Sequence, residues 1–339
     1  MMQVMLHANR RWAMLRSKST RINILFLGML FCQIVVPYLL APYVQGMTYY
    51  TALLLAQLLL QFPVVMYLVI TGTNPLKLLS LKLIHPGAAV LVILMTLCVL
   101  PLTSLVNLIS MLFVENALTD LSVEVEQNSF WLNLLFIAVI PALSEEFAFR
   151  GVIFHTLKEH GKWFAVVCSA LFFGMMHLNF NQFSYTFVIG MVMALAVLAT
   201  GSLWGSVLVH FTLNANSVMM MKALQVIAQK FSDASGSASN IIEQAGAEAV
   251  SMGDLLLTIA VVAIFAVIML IPAGCFLYAV AHICKTTEVM ETMFFPAKTD
   301  VQRKALTQDE QPRQNRIFDV FFVLCLLISF GYMIYIAVI

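Results

Sequence analysis

Charged residues are scarce in this sequence. They make up 10% of its 339 residues, where a soluble domain carries about 25%. The hydrophobic share is 61% and the mean hydropathy is +0.93. Together these exclude a soluble globular domain and point to an integral membrane protein. The net charge of +1 leaves no basic surplus of the kind that marks nucleic-acid binding, so no nucleic-acid partner is expected. Paired cysteine motifs are also missing. Cys32, Cys98, Cys168, Cys275, Cys284 and Cys325 are scattered in or beside apolar segments with no CxxC spacing. They read as reduced core or lipid-facing residues. The N-terminus is basic and then apolar, but no small-residue cleavage site follows, and the apolar stretch is too long for a signal-peptide core. It is expected to be a retained first span.

What is present is long apolar runs. A helix needs about 20 apolar residues to cross the hydrocarbon core. That rule predicts nine spans, at about 22–44, 48–70, 86–113, 130–157, 163–179, 183–200, 203–222, 254–283 and 317–338. The fifth is short, and Pro272 and Gly274 are expected to interrupt the eighth. The fold class is therefore all-α, a polytopic transmembrane helical bundle of about nine spans, with eight possible. Trp12, Trp131, Trp163, Trp204, Tyr49 and Tyr50 fall near span ends, as interfacial anchors do.

Lys and Arg tend to stay in cytoplasmic loops, and their placement checks the span list. Arg10, Arg11, Arg16, Lys18 and Arg21 precede or open the first span. Lys77 and Lys82 follow the second, Lys158 and Lys162 the fourth. Lys285, Lys298, Arg303, Lys304, Arg313 and Arg316 precede the last. Alternating spans put all of these on one side. The other side receives Glu115, Asp120, Glu124 and Glu126, together with the 223–253 loop, where Lys230 faces Asp233, Glu243 and Glu248. A multi-pass cell-membrane protein is expected, with a cytoplasmic N-terminus and an exoplasmic C-terminus. "SDASGSASN", 232–240, reads as a flexible exoplasmic linker. The polar stretch 297–316 reads as a partly disordered cytoplasmic segment.

Ionisable residues inside the spans cluster in the middle of the chain. "PALSEEFAFRG", 141–151, places Glu145, Glu146 and Arg150 in the fourth span. "FGMMH" places His177 in the fifth, and "HFTLN" places His210 and Asn214 in the seventh. Ionisable groups at membrane depth usually face the bundle interior or a water cavity and are functional candidates. Glu146 and Arg150 are four residues apart and share a helix face, so they are expected to pair. Glu145 points about 100° away and has no cation of its own at the next turn, so it is free to accept a proton. His210 and Asn214, again four apart, can both donate to one developing oxyanion. His155, His160 and His282 lie near inner span ends and read as interfacial.

Those three stretches fit Glu-Glu-x-x-x-Arg, Phe-x-x-x-His and His-x-x-x-Asn, in that order and on separate apolar segments. The region 130–222 thereby resembles the CAAX-protease and bacteriocin-processing (abortive-infection) family of intramembrane endopeptidases. The resemblance implies that Glu145 is the general base, assisted by His177, that His210 and Asn214 stabilise the tetrahedral oxyanion, and that Glu146 and Arg150 order the site. It implies a prenylated CAAX protein, another membrane-anchored protein or a peptide precursor as substrate. It divides the chain into 1–129, a cytoplasmic segment and three spans; 130–222, a four-span catalytic core; 223–253, an exoplasmic linker; and 254–339, two spans with a charged cytoplasmic loop. No cofactor is needed in this chemistry. Zinc is an alternative, because Glu145, His177 and His210 match the ligand types of a His₂Glu site. The HExxH, GxGD and GxSG motifs of other intramembrane proteases are absent.

A proton-coupled transporter or channel is the rival reading, with Glu145 and Glu146 as proton carriers. A relay has no use for the non-titrating amide of Asn214. A bacteriocin immunity protein that keeps the fold without proteolysis is a third reading. The sequence sets no oligomeric state. One tension concerns depth. By residue count Glu145 lies mid-span, His177 nearer the exoplasmic end and His210 nearer the cytoplasmic third, so a shared site requires tilted or broken helices. Pro141 is placed to supply such an offset.

Overall fold

A computed structural model describes residues 17–44, 46–114, 128–235, 251–294 and 318–338. The N-terminal Arg cluster 10–16, the acids Glu115 to Glu126, most of the 232–240 segment and the 297–316 stretch lie outside the described residues. The described residues contain long helices at all nine expected positions: α1 Lys18–Leu40, α2 Tyr49–Thr71, α3 Pro86–Ser110, α4 Phe130–His160, α5 Lys162–Met176, α6 Phe180–Thr200, α7 Leu203–Ser235, α8 Met252–Ile283 and α9 Val320–Val338. Seven of them are long and apolar enough to cross a membrane; α5 is a shorter apolar helix. α7 opens on an apolar stretch and runs on into a polar one. The protein is an all-α, multi-pass membrane bundle.

Lipid exposure explains the composition. Leu257, Val261, Ile264, Val267, Ile268 and Ile271 of α8 are exposed large apolar side chains. The buried face of α8 is small, with Ala266, Ala273 and Ala281 against α3. Small residues let helix backbones approach where no hydrophobic drive separates protein from lipid.

Two expectations are corrected. Pro272 and Gly274 do not interrupt α8, which is continuous from Met252 to Ile283. In lipid a full break would orphan more backbone groups than one proline does. The expected 223–253 linker is helical in its first part, because α7 continues to Ser235. Residues 222–230, "KALQVIAQK", are rich in strong helix formers.

Side-chain bonds fix which helix ends lie together. At one end Lys18 pairs with Glu159 at 2.5 Å, and Ser19 Oγ meets His160 Nε2 at 2.6 Å. Ser80 Oγ donates to Gly201 O at 2.7 Å and Lys162 Nζ to Thr292 Oγ1 at 3.1 Å. At the other end Tyr50 donates to Asn133 Oδ1 at 3.1 Å, and Asn181 Nδ2 donates to Asn107 Oδ1 at 2.8 Å and Ser110 Oγ at 2.6 Å. Among the described residues, Lys18, Lys162 and the Ser80 turn thus share one end of the bundle, as alternating spans require.

Candidate active site

The site is built around an irregular α4. Regular α-helix holds only for Phe130–Asn133 and Ile140–Glu146; Leu134–Val139 and Phe147–Phe154 are π-helical. Wide π turns are rare and concentrate at functional sites. Pro141 sits just inside the central α segment. It has no N–H to offer the carbonyl of Ile137, four residues earlier. Asn214 Nδ2 of α7 donates to that carbonyl at 2.9 Å. The break in α4 and a motif residue of α7 are therefore one construction.

Glu146 is completely buried. Its Oε1 accepts Arg150 Nη1 and His210 Nδ1, each at 2.9 Å. Arg150, 2% exposed, also donates from Nη2 to Gly190 O at 3.0 Å and lies 4.4 Å from the centre of the Phe173 ring. Gly190 permits that approach. A Cβ there would stand 2.9 Å from the Ala170 backbone and 3.2 Å from Arg150 Nη2. The expected Glu146–Arg150 pair is present, but the carboxylate does more than neutralise the guanidinium. It receives Nδ1–H of His210 and so turns Nε2 of that ring outward. Nε2 lies 3.9 Å from Glu145 Oε2, an ion-pair distance too long for a hydrogen bond.

Glu145 faces the other way and retains 15% side-chain exposure. It is not without a partner. Gln57 Nε2 of α2 donates to its Oε1 at 2.9 Å, and Ser144 Oγ donates to Gln57 Oε1 at 2.5 Å. Gln61, one turn on, donates to Ser144 O at 2.5 Å. Gln57, Gln61 and Ser144 escaped the sequence reading. Their signal is "QLLLQ", two amides four residues apart on an otherwise apolar span.

His177 closes α5 as its C-cap. Its Nδ1 donates to Phe173 O at 2.9 Å, which leaves Nε2 as the outward atom. Phe173 is the first residue of the Phe-x-x-x-His pattern, and the structure gives it a purpose. Its carbonyl orients His177, and its ring lies edge-on to His177 and His210, with centroids 5.0 and 5.8 Å away. The opposite demand, a cation over its face, comes from Arg150.

Glu145, His177, His210 and Asn214 all line one cavity of about 440 Å³, with Gln57 beside them. Ligand pockets span about 300–1,000 Å³. Glu146 and Arg150 stand behind it. Three helices, α4, α5 and α7, thus carry an outward carboxylate, two imidazoles fixed at Nδ1 with Nε2 free, and an amide with one N–H committed, and α2 adds Gln57. Among the described residues no group of three His, Cys, Asp or Glu side chains is placed to hold a metal ion.

Residues 127–216 match the family model described as Type II CAAX prenyl endopeptidase Rce1-like. That segment is similar to the Rce1-like family. The matched segment begins just before α4 and ends just after Asn214, so it spans every residue of the three motifs. It agrees with the resemblance read from the motifs. The Rce1-like match groups this segment with CAAX-type intramembrane proteases. α1 to α3, α8 and α9 lie outside the Rce1-like segment. No curated protein and no solved structure matches the chain.

Proposed function

We propose that the protein is a glutamate-type intramembrane endopeptidase that hydrolyses a peptide bond in a membrane-anchored protein or peptide precursor. The observation that supports it most is the division between the adjacent glutamates. Glu146 is locked in a buried ion pair, while Glu145 opens on a cavity shared with two oriented imidazoles and an amide.

In this reading a water between Glu145 and His177 Nε2 loses a proton to Glu145 as its oxygen bonds to the substrate carbonyl carbon. The carbonyl oxygen becomes an oxyanion. It accepts hydrogen bonds from protonated Nε2 of His210 and from the second N–H of Asn214. When the tetrahedral intermediate collapses, the C–N bond breaks and Glu145 passes its proton to the leaving amine. Glu146 and Arg150 touch no substrate; they hold His210. The chemistry calls on no metal.

Glu145→Gln tests the proposal. Glutamine keeps an oxygen for Gln57 to donate to but cannot take a proton. Purified Glu145→Gln should keep wild-type thermal stability and lose peptide cleavage, while wild type should keep cleaving in a chelator. Near-full turnover by Glu145→Gln removes the assigned base.

A further inference from the structure

We propose that the catalytic cavity is loaded from the exoplasmic side of the membrane, so that its substrate is an extracytoplasmic peptide segment next to a membrane anchor. This rests on the proteolytic reading for the word substrate, but the placement of the cavity stands on its own geometry.

The cavity is centred in one half of the bundle. α3 runs away from the basic end, and only its far half contributes, with Leu100, Thr103, Ser104 and Asn107. α2 and α4 run toward the basic end, and their first halves contribute, with Tyr49, Leu53 and Gln57, then Phe136, Ile137 and Glu145. α5 contributes its last turn and α6 the stretch from Gln182 to Met193, most of it in the first half of the helix. α7 contributes the stretch from His210 to Ser217. The lining is centred on the half that ends in the Tyr50–Asn133 and Asn181–Asn107 bonds, with His210 and Met193 reaching deepest toward the other end. None of Lys18, Lys82, Lys158 and Lys162 lines it.

The basic half is closed beneath the site. Phe149, Val152, Ile153 and Phe154 are at most 1% exposed. A second cavity of about 180 Å³ reaches Arg150 from the basic end, between Lys158 and Lys162. The buried Arg150–Glu146 pair stands between the two cavities. A peptide in an aqueous loop at the basic end would have to displace that pair to reach Glu145.

The positive-inside rule makes the basic end cytoplasmic. Among the described residues, Lys222 and Lys230 lie toward the opposite end, as does Asp254. The cavity therefore faces the exoplasmic side. A lipid-modified C-terminus displayed in the cytoplasm is on the wrong side. The chemistry that fits is an extended segment just outside a transmembrane or lipid anchor, entering between α2, α3 and α6 with its anchor in the outer leaflet.

The experiment has two arms. Single cysteines are placed in a cysteine-free chain at Ser104 and Ser217, which line the cavity, and at Lys82, exposed at the basic end. Right-side-out and inverted membrane vesicles are treated with a membrane-impermeant maleimide. Ser104→Cys and Ser217→Cys should label in right-side-out vesicles, where Lys82→Cys is protected, and the pattern should reverse in inverted vesicles. Cavity cysteines that label together with Lys82→Cys overturn the proposal. This arm needs no proteolysis, so it is independent of the enzymatic reading. The second arm uses the unaltered protein, which also covers a cysteine-free chain that does not fold. One cleavable peptide is fused to a single-span anchor so that it projects to either face. Cleavage only of the exoplasmic fusion supports the proposal, and cleavage of the cytoplasmic fusion overturns it. Cleavage of neither, with the expected labelling, refutes the peptide and leaves the loading side established.

Discussion

Replacing Glu146 by glutamine separates two tasks that one oxygen performs. Oε1 of Glu146 accepts both Arg150 Nη1 and His210 Nδ1 at 2.9 Å, with neither Glu146 nor Arg150 side chain exposed. In Glu146→Gln the guanidinium keeps Gly190 O and the Phe173 ring but loses its only charged contact closer than Glu145. Breaking a buried ion pair by removing one partner costs about 3–5 kcal/mol. At about 1.4 kcal/mol per power of ten, that is a loss of about two to three and a half powers of ten in the folding equilibrium. The double variant Glu146→Gln/Arg150→Met removes the stranded charge. Replacing both members of a buried pair with groups of similar volume is often neutral or stabilising, so stability should return. Cleavage should not, because a neutral amide holds His210 Nδ1–H more weakly than the carboxylate does and no longer supports the protonated ring that donates to the oxyanion. Thermal unfolding followed by tryptophan fluorescence in detergent gives the first quantity, and steady-state cleavage of one peptide gives the second. Wild-type stability in Glu146→Gln refutes the cost assigned to the pair. Full turnover in the double variant refutes the claim that Glu146 orients His210.

Asn214→Ala should lower kcat by about 100- to 1,000-fold, the usual effect of losing one oxyanion donor, with little change in KM. It should also cost about 1–3 kcal/mol of stability, since Ile137 O loses its donor; a variant with wild-type kcat takes Asn214 out of the chemistry and revives the proton-relay reading. Gln57→Leu should lower kcat while leaving the Tm close to wild type, because it frees Glu145 Oε1 without stranding a charge, and an unchanged kcat would make Gln57 mere interhelical packing. Reporter fusions after Lys18 and after Val338 should report opposite faces of the membrane, cytoplasmic and exoplasmic; fusions on one face contradict nine crossings.

The spans were legible because lipid imposes a length and an apolarity that survive in the sequence. The pairing of Glu146 with Arg150 was legible because four residues is a helix turn. Gln57 was not, because a glutamine in an apolar span looks like ordinary interhelical glue until its neighbour across the bundle is known. The bond from His210 to Glu146 was hidden for a related reason. It joins residues 64 apart, and spacing along one helix says nothing about which turn of another helix lies opposite. The π turns of α4 left no letter of their own. They reflect the fit of α4 to its neighbours, and only Pro141 hinted at them. Pro272 misled because a proline's cost is set by what surrounds the helix, which its own segment does not record.

The two π-helical stretches of α4 flank the glutamates from both sides. Each extra residue in a wide turn advances everything beyond it by about 100° relative to a regular helix. A one-residue deletion between Leu134 and Val139 would therefore leave all three motifs letter-perfect and swing Glu145 away from the imidazoles. Chain length in that stretch acts as an angular setting for the site. Motif letters alone do not report whether such a protein can cut; the number of residues between Asn133 and Pro141 belongs to the signature as much as the glutamates do.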